Sequence, residues 1–197
     1  DGTYRLSGEK QWITSGDQAG IIVAWARTDP AAKGARGISC FLVEGGAAGV
    51  HAGRPEDKMG LLASHTVPLT FDDARGDLLG QPGEGFKIAM MALDGGRIGI
   101  GAQAGGMAQL AVECVRAAGQ ADARLADMQM ELDAAWLLTL RAAWQKEQGV
   151  SYSVEAAMAK LQSSEACGRI VRAALQIAGP AGCRKEHPLQ RLLRDCR

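Results

Sequence analysis

Three stretches hold the side chains from which chemistry could be built: WITSG at residues 12–16, LDGGRIG at 93–99 and QIAGPAG at 176–182. In the second, Asp94 and Arg97 stand three apart among Gly95, Gly96 and Gly99, so a charged pair coincides with a place where a second backbone or a flat ligand could come close. The spacing equally suits a surface ion pair or a cap. Taken singly, the first stretch also reads as strand core running into a turn, and the third as a helix C-cap with Gly179 at C′ and Pro180 after it. Other reactive patterns are absent. There is no GxSxG elbow, no GxxxxGK[ST] loop and no GxGxxG between a strand and a helix; Gly83 and Gly85 follow a loop, and the later glycines lie inside a helical pattern. His51, His65 and His187 are scattered, with no HxH, HExxH or neighbouring cysteine pair, so a metal site is not expected. The five cysteines, Cys40, Cys114, Cys167, Cys183 and Cys196, are odd in number and never in a CxxC pair, the usage of reduced thiols in a cytosolic-type protein.

The elements that must position these residues follow from periodicity. The segment 83–109 divides a strand-like first part from a helical second part, and Phe86, Met90, Leu93, Ile100, Met107 and Leu110 step by threes and fours, predicting one helix to about Ala118. It carries Gly95, Gly96, Gly99, Gly101, Gly105 and Gly106, which together disfavour a helix by roughly 5 kcal/mol, so packing must offset them and the helix belongs at the centre of a bundle. Upstream, residues 4–6 and 10–14 predict a hairpin around Ser7, Gly8 and Glu9. Residues 21–27 predict a strand buried on both faces, and further strands are expected at 38–43, around Val50 and at 67–71. All of this describes antiparallel β-structure, a barrel or sandwich that has lost its earlier strands. Residues 72–85 have the composition of a linker, and the domain boundary falls there, between 1–80 and 81–197. A short turn at 119–122 leads to an antiparallel helix at 123–148, with Leu125, Met128, Leu132, Ala135, Leu138 and Ala142 on one face. A third helix, capped by Ser151 or Ser153, buries Val154, Ala157, Met158, Leu161, Val171, Ala174 and Leu175, and a short one covers 188–197. The fold class is therefore α+β, a partial β-domain followed by an up-down four-helix bundle.

Lys plus Arg and Asp plus Glu number 22 each in a chain of 197 residues, which gives no field for nucleic acid or an anionic membrane; the locally basic stretch 184–197 reads as a solvated helix face. No apolar run reaches membrane-spanning length and no signal peptide is visible. The chain opens on Asp1 in mid-pattern, as part of a longer protein or one with a trimmed start would.

The motifs GEKQWITSG, KMG (58–60), GEGF, LDGGRIGIGAQ, RLADM, EAAMAKL, QIAG and RDCR follow one another over nearly the whole chain. Their order and spacing resemble the acyl-CoA dehydrogenase family, most closely its short-chain branch. The resemblance implies a middle β-domain, here its second half, and most of a C-terminal four-helix bundle. It implies FAD between the two, an acyl-CoA thioester against the isoalloxazine ring, a glutamate that takes the α-proton, and β-hydride transfer to flavin N5. By the same resemblance Trp12 lies beside the flavin, Ile13 contacts it, and the Thr14 hydroxyl bonds near N5. Gln176, Ile177, Ala178, Gly179 and Pro180 touch the adenosine end of FAD on a neighbouring subunit, and Asp94, Gly95, Gly96 and Arg97 line the acyl-CoA path. It implies further a homo-oligomer, commonly a tetramer, an electron-transfer flavoprotein as acceptor, and a bacterial cytoplasm or mitochondrial matrix as the compartment.

The departures from the family pattern are specific. The upstream flavin loop and the R-x-x-FG segment between the first two bundle helices are missing, the DDARGDLLG linker is short, and Pro180 replaces the second glycine of Q-x-x-GG. The short-chain branch carries its glutamate in an EGT segment after RD-x-R, and the isovaleryl-type branch has its base at the position that here is Gly96, so no catalytic base is assigned. Glu113, Glu131, Glu165 and Glu186 read as helix-surface acids. Two alternatives follow: a catalytically silent relic acting as an oligomerisation module, and flavin-dependent oxidation of another substrate on the same fold.

Overall fold

The computed structural model describes residues 3–119 and 121–197. They form two compact units, Asp1–Met91 and Ala92–Arg197. The first is a curled antiparallel sheet of β1 (Thr3–Thr14), β2 (Ile21–Arg27), β3 (Ile38–Glu44), β4 (Val50–Ala52) and β5 (Thr66–Leu79), in the order β1-β5-β3-β2 with β4 also on β5. No hairpin forms at Gly8. β1 runs straight through as one strand against β5, and the two register shifts are bulges: one extra residue on β5 between the pairs Leu6↔Ala74 and Gly8↔Phe71, and one on β1 between Lys10↔Leu69 and Ile13↔Val67. Ser7 does not turn the chain but accepts, through Oγ, a hydrogen bond from the Asp73 amide at 3.2 Å.

The expected linker is mostly strand. β5 continues to Leu79, because Gly76 is a packing glycine rather than a turn glycine: a Cβ there would stand 2.6 Å from Leu6 Cδ1. Gly80 and Gly83, at φ +78 and +84, make the turn that follows. β2 is buried on one face only. Ile22 and Ala24 join Leu6, Phe41, Val43, Val67, Leu69, Phe71 and Ala74 in the core, while Ile21 and Val23 face outward. Alternation at period two wins over composition here, as it must in a sheet with one covered face.

The second unit is helical. The predicted long helix is α1 (Gly85–Ala117), whose residues up to Met91 belong to the first unit, followed by α2 (Arg124–Glu147), α3 (Ser153–Ala178), a 3₁₀ turn at Gly179–Cys183 and the short α4 (Pro188–Asp195). Of the turn at 119–122, Gln120 lies outside the described residues. α2 buries Met128, Leu132, Ala135, Thr139 and Ala142, much as its period predicts, with Thr139 in and Leu138 only partly covered. The inward faces of α1 and α3 differ from the expectation. Phe86, Met90, Leu93 and Ile100 are exposed, and Ala104, Ala108, Ala111, Val112 and Val115 fill the core instead. On α3, Val154, Met158 and Leu161 are exposed, whereas Ala156, Ala159, Ser163, Ala166, Cys167, Ile170, Val171 and Ala174 are buried. Close approach of the helices is the cause. A Cβ on Gly101 would stand 3.0 Å from Thr139 Oγ1 and 3.6 Å from the Ala159 backbone, and one on Gly105 would stand 3.1 Å from the Trp136 ring. At that separation only small side chains fit between the helices. Gly96, Gly99 and Gly106 are different, since a Cβ on any of them meets nothing within 4 Å.

Candidate functional site

WITSG sits at the end of β1, and the bulge decides its presentation. Trp12 takes φ +56, a conformation that a bulky side chain avoids, and its indole is 72% exposed. Ile13 is half-buried opposite Val67, and Thr14 is exposed. The next three residues hold this presentation in place. Ser15, at φ +56, donates its amide to His65 O at 2.9 Å, and Gly16 is buried so tightly that a Cβ would stand 2.9 Å from Val67 Cγ2. Asp17 Oδ2 lies 2.6 Å from His65 Nδ1, and this hydrogen bond holds the Asp17 carboxyl below the usual range. Lys58 of the KMG segment donates to Leu61 O at 3.0 Å and to Ser64 O, tying down the loop that leads to His65.

On α1, the Asp94 carboxylate has both oxygens engaged. Oδ1 accepts from Arg97 Nη1 at 2.5 Å, and Oδ2 accepts from Ser153 Oγ at 2.5 Å. Ser153 is therefore no N-cap: Tyr152 occupies the N-cap position without a side-chain cap bond, and the serine instead ties the start of α3 to α1. Lys146 Nζ would stand 3.3 Å from a Cβ on Gly95, so that glycine makes room for an ammonium group, while the backbone at Gly96 is open. The result is a small cationic surface of Arg97 and Lys146 around one carboxylate.

Gln176, Ile177, Ala178, Gly179 and Pro180 lie at the other end of α3, where Gly179 takes φ +60 and opens the 3₁₀ turn, with Pro180 next to it. Gln176 Oε1 accepts from Arg124 Nη1 at 3.3 Å, and Arg124 also donates to Asp122 through Nε at 2.9 Å and Nη2 at 2.6 Å. That pairing takes Asp122 down to about 2. From Ser153 to Gln176 the helix rises by roughly 35 Å, so the Asp94 cluster and the Gln176 cluster are not one site within a single chain. Sequence reading missed Ser153, Lys146 and Arg124 as partners of these motifs. Arg124 stands in RLADM, but nothing in the order of residues indicates that it meets Gln176. A depression of about 850 Å³ along α2, lined by Arg116, Leu125, Gln129, Met130 and Asp133 among others, touches none of the three motifs.

Glu113 and Glu165 are exposed, Glu131 accepts from Arg169 Nε at 2.8 Å, and Glu186 lies on the exposed turn before α4, in keeping with surface roles. Among the described residues no group of three or more His, Cys, Asp or Glu could hold a metal ion, and no helix is long and apolar enough to cross a membrane.

A curled antiparallel sheet with an aromatic bulge, joined in sequence to a glycine-rich helix and its bundle, is a middle-plus-C-terminal pair of domains. Residues 1–74 match the acyl-CoA dehydrogenase middle domain, and residues 83–197 match the acyl-CoA dehydrogenase C-terminal domain. The chain belongs to the acyl-CoA dehydrogenase family. It is 46% identical over 212 residues to the mitochondrial short-chain specific acyl-CoA dehydrogenase of Bos taurus, covering 99% of this chain and 51% of that protein. Butyryl-CoA dehydrogenase from Megasphaera elsdenii superposes with a TM-score of 0.94 at 40% identity, over 100% of this chain and 55% of that one. A chain in a structure of the electron transferring flavoprotein of Acidaminococcus fermentans, described in terms of flavin-based electron bifurcation, gives 0.94 at 38% identity over 99% and 56%. The chain thus spans about half the length of the curated relatives it matches. Its match to the short-chain specific enzyme of Megasphaera elsdenii runs over 214 positions against 197 residues here, so some positions of that relative have no counterpart.

Proposed function

We propose that this chain supplies the ring-facing strand and the helical bundle of an FAD-dependent acyl-CoA dehydrogenase that desaturates a short acyl-CoA thioester between Cα and Cβ. The observation that carries the reading is Trp12. Holding a bulky residue at positive φ costs about 1–3 kcal/mol, and here the strain exposes an indole instead of burying it, as a side chain with a binding task would require. A flat aromatic beside an exposed hydroxyl fits the ring portion of a flavin. Bound FAD would accept the substrate's β-hydride at N5. Trp12 would cover the ring against water, Ile13 would give an apolar contact, and Thr14 would donate a hydrogen bond where charge develops. Arg97 and Lys146, with the open backbone at Gly96, suit the phosphates and amides of a coenzyme A chain; Asp94 would fix Arg97.

Gln176 to Pro180 would serve the adenosine end of a cofactor held by a second copy, because they lie a helix length from Asp94. An exposed apolar stripe of Met130, Leu137, Leu140 and Trp144 on α2, with Val154, Met158 and Leu161 on α3, supports a homo-oligomer, which we take to be a tetramer. An electron-transfer flavoprotein would take the electrons, in a bacterial cytoplasm or a mitochondrial matrix, and the functional division of the chain would fall at 80/81.

A second reading, a silent member that keeps the bundle for assembly, is favoured by Gly96, which stands where one branch of the family has its base. Two measurements separate them. A flavin absorption spectrum of the purified protein should show bound FAD, and its absence after reconstitution would favour the silent module. Anaerobic butyryl-CoA should leave that flavin oxidised in the chain as it stands and bleach it in a longer form that continues past Arg197 through an EGT segment, since a positioned carboxylate is needed to take the α-proton. Bleaching by the chain alone would mean that a carboxylate assigned to the surface is the base.

A further inference from the structure

His65 stands immediately before β5, and it meets the end of β1 twice. Its carbonyl accepts from the Ser15 amide at 2.9 Å, and its ring nitrogen Nδ1 lies 2.6 Å from Asp17 Oδ2. Gln18 brings its terminal amide to 3.0 Å from the same nitrogen. One nitrogen cannot donate to a carboxylate and accept from an amide N–H at once. The ionised carboxylate can only accept, so Nδ1 carries the proton and Gln18 can join only with its oxygen turned inward. Both side chains are partly covered, so the contact is not a freely solvated surface pair.

This clasp lies where the strand needs one. Beyond its bulge β1 keeps only the pairs Ile13↔Val67 and Thr14↔Thr66 with β5, and non-glycine residues flank them at positive φ, Trp12 and Ser15 both at +56. Strain of that kind persists only where surrounding contacts over-determine it, so two pairs between strained residues would fray without a further tie. β5 is fixed at this end: Thr66 O accepts from the Glu56 amide at 2.8 Å, and Lys58 holds Leu61 O and Ser64 O just before His65. The side left to be held is β1, which the Asp17 carboxylate fastens to the fixed one. We propose that His65 is a positioning residue for the flavin ring: by donating Nδ1–H to Asp17 it keeps the pairs beyond the bulge closed, and with them the presentation of Trp12, Ile13 and Thr14. His65 has this role only if those three residues face the ring, as proposed above, so clasp and flavin are measured separately.

The first measurement is nuclear magnetic resonance on the isotope-labelled chain and needs no flavin. The Trp12 indole N–H resonance, identified by its loss in Trp12→Phe, should be single, and the neutral His65 ring should show the nitrogen shifts of the Nδ1–H form. His65→Ala and Asp17→Ala should each move or broaden that indole resonance. His65→Asn should restore it, because the asparagine amide puts a donor where Nδ1–H was. The second measurement adds FAD. His65→Ala and Asp17→Ala should each weaken its binding about tenfold, as loss of one hydrogen bond to a charged group would, and the double variant should lose no more than either alone. Val43→Ala controls for a merely structural effect: it opens a cavity in the core of the same sheet, so it should lower Tm and leave the Trp12 resonance and FAD affinity as they were. An Nε2–H form of the neutral ring, an unmoved Trp12 resonance in the alanine variants, additive losses in the double variant, or an equal loss of FAD affinity in Val43→Ala would overturn the proposal. A wild-type chain that binds no FAD while the resonances behave as stated would overturn the proposed function, with the clasp upheld.

Discussion

Replacing Gly101 by leucine tests whether α1 is packed or merely long. The substitution gains roughly 1 kcal/mol of helix propensity. Against that, its Cβ would already stand 3.0 Å from Thr139 Oγ1 and 3.5 Å from Thr139 Cγ2, with the Ala159 backbone at 3.6 Å, so the three further carbons have no room. Overpacking a filled core costs about 1–3 kcal/mol, and here it also presses on a buried polar pair. Thr139 Oγ1 donates to Ala135 O at 2.9 Å and lies 3.2 Å from Ser163 Oγ; displacing it adds about 1 kcal/mol or more. The net loss is about 2 kcal/mol, which at this chain length lowers Tm by roughly 4–8 °C. Gly99→Leu is the matched control. A Cβ there meets nothing within 4 Å, so the same residue change two positions away should gain propensity and leave Tm level or slightly raised. Calorimetry at several protein concentrations measures both and exposes any contribution from assembly. Equal losses in the two variants, or an unchanged Gly101→Leu protein, would refute the claim that these two glycines differ in what they face.

Trp12→Gly should raise stability by about 1 kcal/mol, because glycine takes φ +56 without strain, while flavin binding weakens; a variant that loses stability and keeps flavin would return Trp12 to a structural role. Thr14→Ala should change the flavin spectrum and slow hydride transfer with little change in Tm. Asp94→Ala breaks the link to Ser153 as well as to Arg97, so it should lower Tm by a few degrees and weaken acyl-CoA binding, whereas Ser153→Ala should lower Tm alone; titration calorimetry with butyryl-CoA separates the two effects. The Asp122 carboxyl is depressed from 3.8 to about 2, so its contribution to stability is present above pH 3.8 and is lost as pH falls toward 2; wild type should outlast Asp122→Asn in thermal melts at pH 7, with the gap closing across that window and shrinking in high salt.

Much of this protein is determined locally and is therefore visible in the order of residues. Helix extents follow from periodicity and from Gly149 and Gly179, which end α2 and α3 by adopting positive φ; strands β2 and β3 follow from their β-branched runs. The motifs that mark the family are short, contiguous and in fixed order, so they too need no tertiary information. What the residues could not disclose depends on partners distant in sequence. Gly8 and Gly76 look like turn residues, and only the 14-residue β5 lying alongside β1 turns one into part of an unbroken strand and the other into a packing position. The buried faces of α1 and α3 are set by how near the helices come, a distance that composition does not encode: Gly101 lets α1 close on Thr139 and Ala159, and the larger side chains are then driven outward. The same holds at the candidate sites, where Ser153 reaches back 59 residues to Asp94 and Arg124 meets Gln176. Each of those contacts joins side chains whose separate meanings in sequence are a cap and a surface cation, because hydrogen bonds select by distance in space and the chain records only distance along itself.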